Sequence, residues 1–213
     1  MATTIIKLTS ADIANAPSKL GSPPDFGTLY SGRALEFDGV ADSVDLGSSL
    51  FSTTGDFTYS SWFYLTSDPS EYDPIIYSSS DSSLIRFRAS SSPWYLEVKP
   101  SNSGTACRTT GNPFYIQTWY NFVTTRDSGV LSIYLNGALD RTDISNANAM
   151  SMRYFAHDGG TRYTPIKFSN FQVWDAAWSS SDVQYAYTHP EKFAYNTPGT
   201  SLTSSNLKAW YPM

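Results

Sequence analysis

Glu36 and Asp38 stand two apart in "ALEFDGVADSVDLG", and in a strand residues i and i+2 share a face. Two carboxylates on one face of a sheet are what a sugar-cleaving acid/base pair needs, about 5 Å apart in a retaining glycosidase. Gly39 suggests that this strand ends in a turn, which would carry Asp42 off the pleated face. No second pair stands on a strand, and Glu97 is alone in "WYLEVK". Hydrolysis is therefore not expected. His157 and His189, the only histidines, have no zinc-ligand spacing. No G-x-S-x-G elbow occurs. Cys107, the single cysteine, lies in "TACRTT" with no histidine near it in sequence and reads as an inert, semi-buried thiol.

Two clusters suit binding better than reaction. Asp38, Asp42 and Asp45 bring hard oxygen atoms next to turn backbone, so they are candidate calcium ligands, Asp38 and Asp42 foremost. The simpler reading makes them solvated turn aspartates. In "YFAHDGGTRY", Tyr154, His157, Asp158, Arg162 and Tyr163 combine aromatic faces with polar groups, as a small-ligand site requires. Aromatic faces stack on the C–H faces of sugars, while Tyr and Arg also favour protein interfaces. The residues leave both open.

The elements that must position these groups read as all-β. Of 213 residues, 15% are aromatic and only 15% charged, and aromatics favour pleated, half-buried surfaces. The net charge is −5 and there is no Lys/Arg run, so the footprint of a nucleic-acid binder is missing. No apolar run approaches the length of a membrane-spanning helix. "FTYSSWFYL" alternates two bulky sets, predicting one face in a core and the other partly covered. "PIIYSS", "SLIRFRA" and "WYLEVK" are shorter strands. "TWYNFVTTR", "VLSIYL" and the segment after "NG" form a meander through turns at Asp127–Gly129 and Asn136–Gly137. "PIKFSNFQVW" is a further strand. One helix, about Ser180 to Thr188, is predicted from Ser179 and Asp182 as a capping box, with Trp178 and Val183 as a staple. "LKAWY" is expected to close the sandwich beside "ALEFD" or the amino-terminal arm, the alternative being that it opens a second module. Trp62, Trp119, Trp174 and Tyr134 are expected in one core between two sheets. Residues 1–31 read as an extended arm and 32–213 as the sandwich. No internal repeat is found.

Four pieces in order, "ALEFDGVADSVDLG", "FTYSSWFYL", "WYNFVTTRDSGVLSIYLNG" and "FSNFQVWDAAWSSSDV", resemble the laminin-G-like, concanavalin A-like jelly rolls, pentraxins included. The resemblance runs from about Arg33 to Tyr187. It implies a two-sheet antiparallel β-sandwich with one short helix near the carboxyl end. Glucanases of this class carry E-x-D-x-x-E on one strand. Ala41 stands at the last of these positions, so the resemblance does not extend to catalysis. Members often hold a structural calcium, but Ser169 and Asn170 stand where many relatives have acids.

Such sandwiches usually act outside the cell. "MATTIIKLTSAD" lacks a secretory pattern, and its opening with a Pro/Gly-rich arm resembles the start of many tailed-phage structural proteins. The expectation is a non-enzymatic virion surface protein, a capsid decoration or short appendage. Its expected partners are other capsid or tail proteins, cell-surface glycans and further copies of itself, with no nucleic acid or membrane. A bacterial, extracellular glycan-binding or adhesion module is the alternative.

Overall fold

Alternation along Phe57–Leu65 (β4) sends Phe57, Tyr59, Phe63 and Leu65 to one face and Thr58, Ser60 and Trp62 to the other, and both sets are buried. A strand covered on both faces belongs in the middle of a sheet that is itself covered twice. The computed structural model describes residues 34–88, 94–101, 105–110, 114–145, 147–190 and 202–212; the arm assigned to 1–31 lies outside them. In it, β4 lies between Pro165–Trp174 (β14) and Trp119–Asp127 (β9). Leu35–Asp38 (β1), Val130–Leu135 (β10) and Ala138–Ser145 (β11) extend this sheet in the order β1-β14-β4-β9-β10-β11, all antiparallel. Leu207–Tyr211 (β15) makes the seventh strand.

The opposing six-stranded sheet runs Val44–Asp45 (β2), Tyr154–Phe155 (β13), Pro74–Tyr77 (β5), Leu84–Arg88 (β6), Tyr95–Lys99 (β7), Cys107–Arg108 (β8). Phe51–Thr53 (β3) pairs with Met150–Met152 (β12) as a separate ribbon. Between the large sheets lies one apolar core that includes Phe57, Tyr59, Phe63, Phe87, Phe122, Phe155, Phe168 and Phe171. Its rings meet at angles, as Phe155 on Phe171 with centroids 4.4 Å apart at 84°, the edge-to-face geometry that aromatic quadrupoles prefer. Arg126 is wholly buried beside this core. Its guanidinium donates to the carbonyls of Gly55, Asn148 and Thr53 at 2.7, 2.6 and 2.9 Å, which satisfies the buried cation and ties β9 to two loops.

The two meander turns form as expected: Ser128–Gly129 and Asn136–Gly137 all have positive φ, as type I′ turns require. The helix, Ser180–Thr188 (α1), has the expected limits and capping box. It packs on the outer face of the seven-stranded sheet over Val123, Tyr134, Trp174 and Trp178, with Val183 and Ala186 pointing in.

This second cluster corrects the expectation of one tryptophan core. Trp174 and Tyr134 lie under the helix, Trp62 stacks on Tyr187 at 5.5 Å, and Trp119 leans on Tyr64 at 5.4 Å. The reason is parity. Trp62, Tyr134 and Trp174 are each one residue from an inward neighbour, Phe63, Ile133 or Val173, and adjacent side chains on a strand point to opposite faces. β15 does close the sheet, but along β14: it pairs with Phe171–Trp174, while β1 pairs with Pro165–Phe168 on the same edge. A register shift between Val173 and Trp174 turns Leu207 toward the tryptophan cluster, whereas Ala209 and Tyr211 reach the inner core.

Candidate functional site

The carboxylate pair is committed elsewhere. Because β1 turns Phe37 into the core, Glu36 and Asp38 point outward. Glu36 pairs at 3.0 Å with Lys167, its register partner on β14. Asp38 Oδ1 accepts the amides of Val40, Ala41 and Asp42 at 2.8, 2.9 and 3.1 Å, and these bonds hold its carboxyl below the usual range. Gly39 has φ +74°, and a Cβ there would stand 2.9 Å from the Pro165 side chain, so the turn needs glycine.

Asp38 and Asp45, two of the aspartates read as candidate calcium ligands, have other partners in this structure. Asp45 is engaged by a two-pronged bond from Arg153 at 2.8 and 3.0 Å. Among the described residues no group of three His, Cys, Asp or Glu could hold a metal ion. Cys107 is buried on the inner face of β8, more deeply than its polar neighbours suggest, and packs in the core. His189 ends α1, stacked on Tyr185 at 4.4 Å.

Aromatic and charged side chains gather on the outer face of the six-stranded sheet. The inner row Val44, Phe155, Ile76, Ile85, Val98 and Cys107 fills the core, so the register partners on either side of it point out. One outward row runs Asp45–Tyr154–Tyr77–Leu84–Lys99 and the next Arg86–Glu97–Arg108, followed by Arg88–Tyr95.

The first end of this face is aromatic. Tyr154 lies at 6.4 Å over Tyr77 and at 5.8 Å against His157, whose ring stacks on Tyr163 at 4.4 Å. A bridge between His157 and Tyr163 closes the loop. At its tip Asp158 accepts the Gly160 and Arg162 amides at 2.8 and 3.2 Å and pairs with the Arg162 guanidinium at 3.2 Å. All five residues singled out in the sequence therefore meet in one patch. Arg162 also reaches within 5.7 Å of the Tyr72 ring, the start of a second group.

That second group is cationic and was missed. Glu97, with a side chain 1% exposed, accepts Arg86 Nε and Nη2 at 2.9 and 2.6 Å and Arg108 Nε at 2.7 Å. Burial opposes its ionisation, but the hydrogen bonds and charges of the two arginines prevail and hold its carboxyl below the usual range. Arg86 and Arg88 lie over Tyr72 at 4.7 and 4.4 Å, and Arg108 lies over Tyr95 at 5.7 Å. Beside them is a cavity of about 320 Å³ lined by Arg86, Glu97, Lys99, Thr105, Ala106 and Arg108. Between the two groups, burial raises the Asp73 carboxyl to about 6, with the Ser70 amide and Arg162 drawing it back. "LIRFR" and "WYLEVK" show the polar alternation, but only the register brings Arg86 and Arg108 to Glu97.

Among solved structures, the chain is similar to the native heptameric SAP-like pentraxin of Limulus polyphemus, with TM-score 0.53 and 15% identity, over 66% of this chain and 72% of that one. It is similar to a carbohydrate-binding candidate of Bacteroides ovatus, with TM-score 0.57 and 20% identity, over 84% of this chain and 50% of that one. Trypanosoma rangeli sialidase in complex with the inhibitor DANA shares TM-score 0.56 and 13% identity, over 75% of this chain and 28% of that one. The chain thus spans half of the Bacteroides protein and about a quarter of the sialidase. At these identities the likeness concerns the fold. No curated protein sequence matches the chain. The family model described as the concanavalin A-like lectin/glucanases superfamily matches residues 38–184, and with more than half of its length covered the chain belongs to that laminin-G-like family.

Proposed function

We propose that this domain is a non-enzymatic binding module that contacts glycans through the outer face of its six-stranded sheet. The observation that carries the reading is the aromatic patch: Tyr77, Tyr154, His157 and Tyr163 form linked ring contacts on an outward face, beside Arg153, Asp158 and Arg162. Flat rings with a few fixed polar groups are what sugar recognition requires. The carbohydrate-binding candidate of Bacteroides ovatus is in keeping with this. Against hydrolysis stand the commitments of the carboxylates. Glu97 is engaged by two arginines, Glu36 by Lys167 and Asp38 by its own turn, and the Glu97 and Asp38 carboxyls are held below the usual range, away from the protonated acid that hydrolysis needs. The test is titration of neutral and acidic oligosaccharides against the parent chain and Tyr154→Ala and Tyr163→Ala. Binding weakened at least tenfold in both variants, with no products released, supports the reading; unchanged binding, or cleavage of the sugar, contradicts it.

The setting we propose is the surface of a virion, where the same fold would also hold protein partners and further copies of itself. Exposed apolar side chains favour such contacts: Val40, Tyr115 and Ile116 are 67%, 63% and 42% exposed. They lie at the end of the sandwich where β1 and β4 finish and β9 and β14 begin. Arm-deleted chain lacking Met1–Pro24 should fold yet fail to enter particles, and normal incorporation would refute this role for the arm.

A further inference from the structure

We propose that the hollow over β6, β7 and β8 is an anion site that takes the carboxylate or sulfate group of an acidic sugar. The inference rests on the glycan-contact reading and gives it a ligand class. The cavity, about 320 Å³, is in the size range of small-ligand sites. Three cations, Arg86, Lys99 and Arg108, face one carboxylate, Glu97, in a chain whose net charge is −5. The positive charge is thus local, and Glu97 offsets only one unit of it.

The arrangement of donors points the same way. Both guanidinium groups turn their Nε and Nη2 edges to Glu97. Among the described residues no acceptor meets either Nη1, and Lys99 has no ion pair. Glu97 therefore works as a clamp: buried and ionised, it fixes two forks side by side, and Tyr72 and Tyr95 hold their planes from beneath. With those edges taken, the Nη1 groups of two planes fixed in advance, together with the Lys99 ammonium, are left to donate to the oxygens of a carboxylate or sulfate with little further ordering. Arg108 is half exposed and Arg86 about a fifth, so a ligand can reach them.

An oligosaccharide fits this face better than an acidic peptide. From β8 to β13 there are four strand spacings, about 19 Å, with the cationic hollow at one end and the Tyr77–Tyr154 stack at the other. A short run of sugar rings would meet charge at one end and flat rings at the other.

The experiment titrates the full chain by calorimetry with four probes of equal length: oligogalacturonate, a sulfated heparin-derived oligosaccharide, a neutral dextran oligomer and oligoglutamate. Each titration is repeated on Lys99→Gln and Arg108→Gln, with folding checked by thermal melting. Lys99→Gln touches no ion pair, so it keeps the test decisive if Arg108→Gln unfolds. The expected result is binding of one or both acidic sugars at least tenfold tighter than dextran. That binding should weaken as salt screens it and fall at least fivefold in Lys99→Gln; the probe that binds tells carboxylate from sulfate. Equal binding of acidic and neutral sugars, unaffected by Lys99→Gln, overturns the anion site and leaves the glycan reading standing. Oligoglutamate binding as tightly as the acidic sugars, or no binding of either acidic sugar, overturns the proposal as well. Loss of all sugar binding, dextran included, removes the glycan reading with it.

Discussion

Glu97 joins a structural commitment to a place in the proposed anion site. Its carboxylate is buried, which is costly, and it is retained because Arg86 and Arg108 complete its hydrogen bonds. Replacing it leaves two cations facing each other. Glu97→Gln should cost roughly 2–4 kcal/mol, the low end of the buried-pair range because the arginines reach solvent; chemical denaturation measures it, and a loss below about 0.5 kcal/mol would mean that the clamp is not formed. The sign of the pH dependence follows. Its folded pKa is lowered, so its stabilising contribution is present above the ordinary carboxylate range and is lost as pH falls through the folded value. Asp73 has the opposite sign. Burial raises it to about 6, so its contribution is full below about pH 4 and is lost as pH rises through 6. Asp73→Asn should therefore gain on the parent between pH 4 and 7 by on the order of 2–3 kcal/mol. Amide hydrogen exchange or melting curves over that range would reveal it; a constant difference with pH would contradict it.

At the scale of elements, the second apolar cluster makes α1 part of the fold rather than an appendage. Trp174 is wholly buried beneath it, so Trp174→Ala should cost about 3–5 kcal/mol. A variant melting like the parent would mean that the helix does not cover this face. Gly137 joins β10 to β11 at φ +80°, and a Cβ there would stand 2.8 Å from the Tyr187 ring. Gly137→Ala thus meets both backbone strain and a clash and should lose roughly 1–3 kcal/mol, read by denaturation. Turns, strands and the helix were legible in the sequence because each has a local cause: "NG" for the hairpin, Ser179 and Asp182 for the cap. The placement of Trp62, Tyr134 and Trp174 was not, since both faces of β4 and β14 carry bulky aromatics and are buried, and alternation alone cannot say which face meets the other sheet. The partner of β15 was hidden for a similar reason: it shares one edge of β14 with β1, and only the register divides that edge between them.

At the scale of the molecule, the helix covers the outer face of the seven-stranded sheet, and among the described residues no element covers the outer face of the six-stranded one. The aromatic half of that open face could be read from "YFAHDGGTRY" because its residues are close in sequence. The cationic half could not, since Arg86, Glu97 and Arg108 come from three strands and meet only through register. On the proposed function, glycans bind at this face and not at the carboxylate turn of Asp38. Chemical-shift mapping of the labelled chain during titration with an acidic oligosaccharide tests it most directly. Shifts concentrated at Tyr77, Tyr154, Tyr163, Lys99 and Arg108 are the predicted result; shifts centred on Glu36 to Asp42, or on the outer face of the seven-stranded sheet, would contradict it.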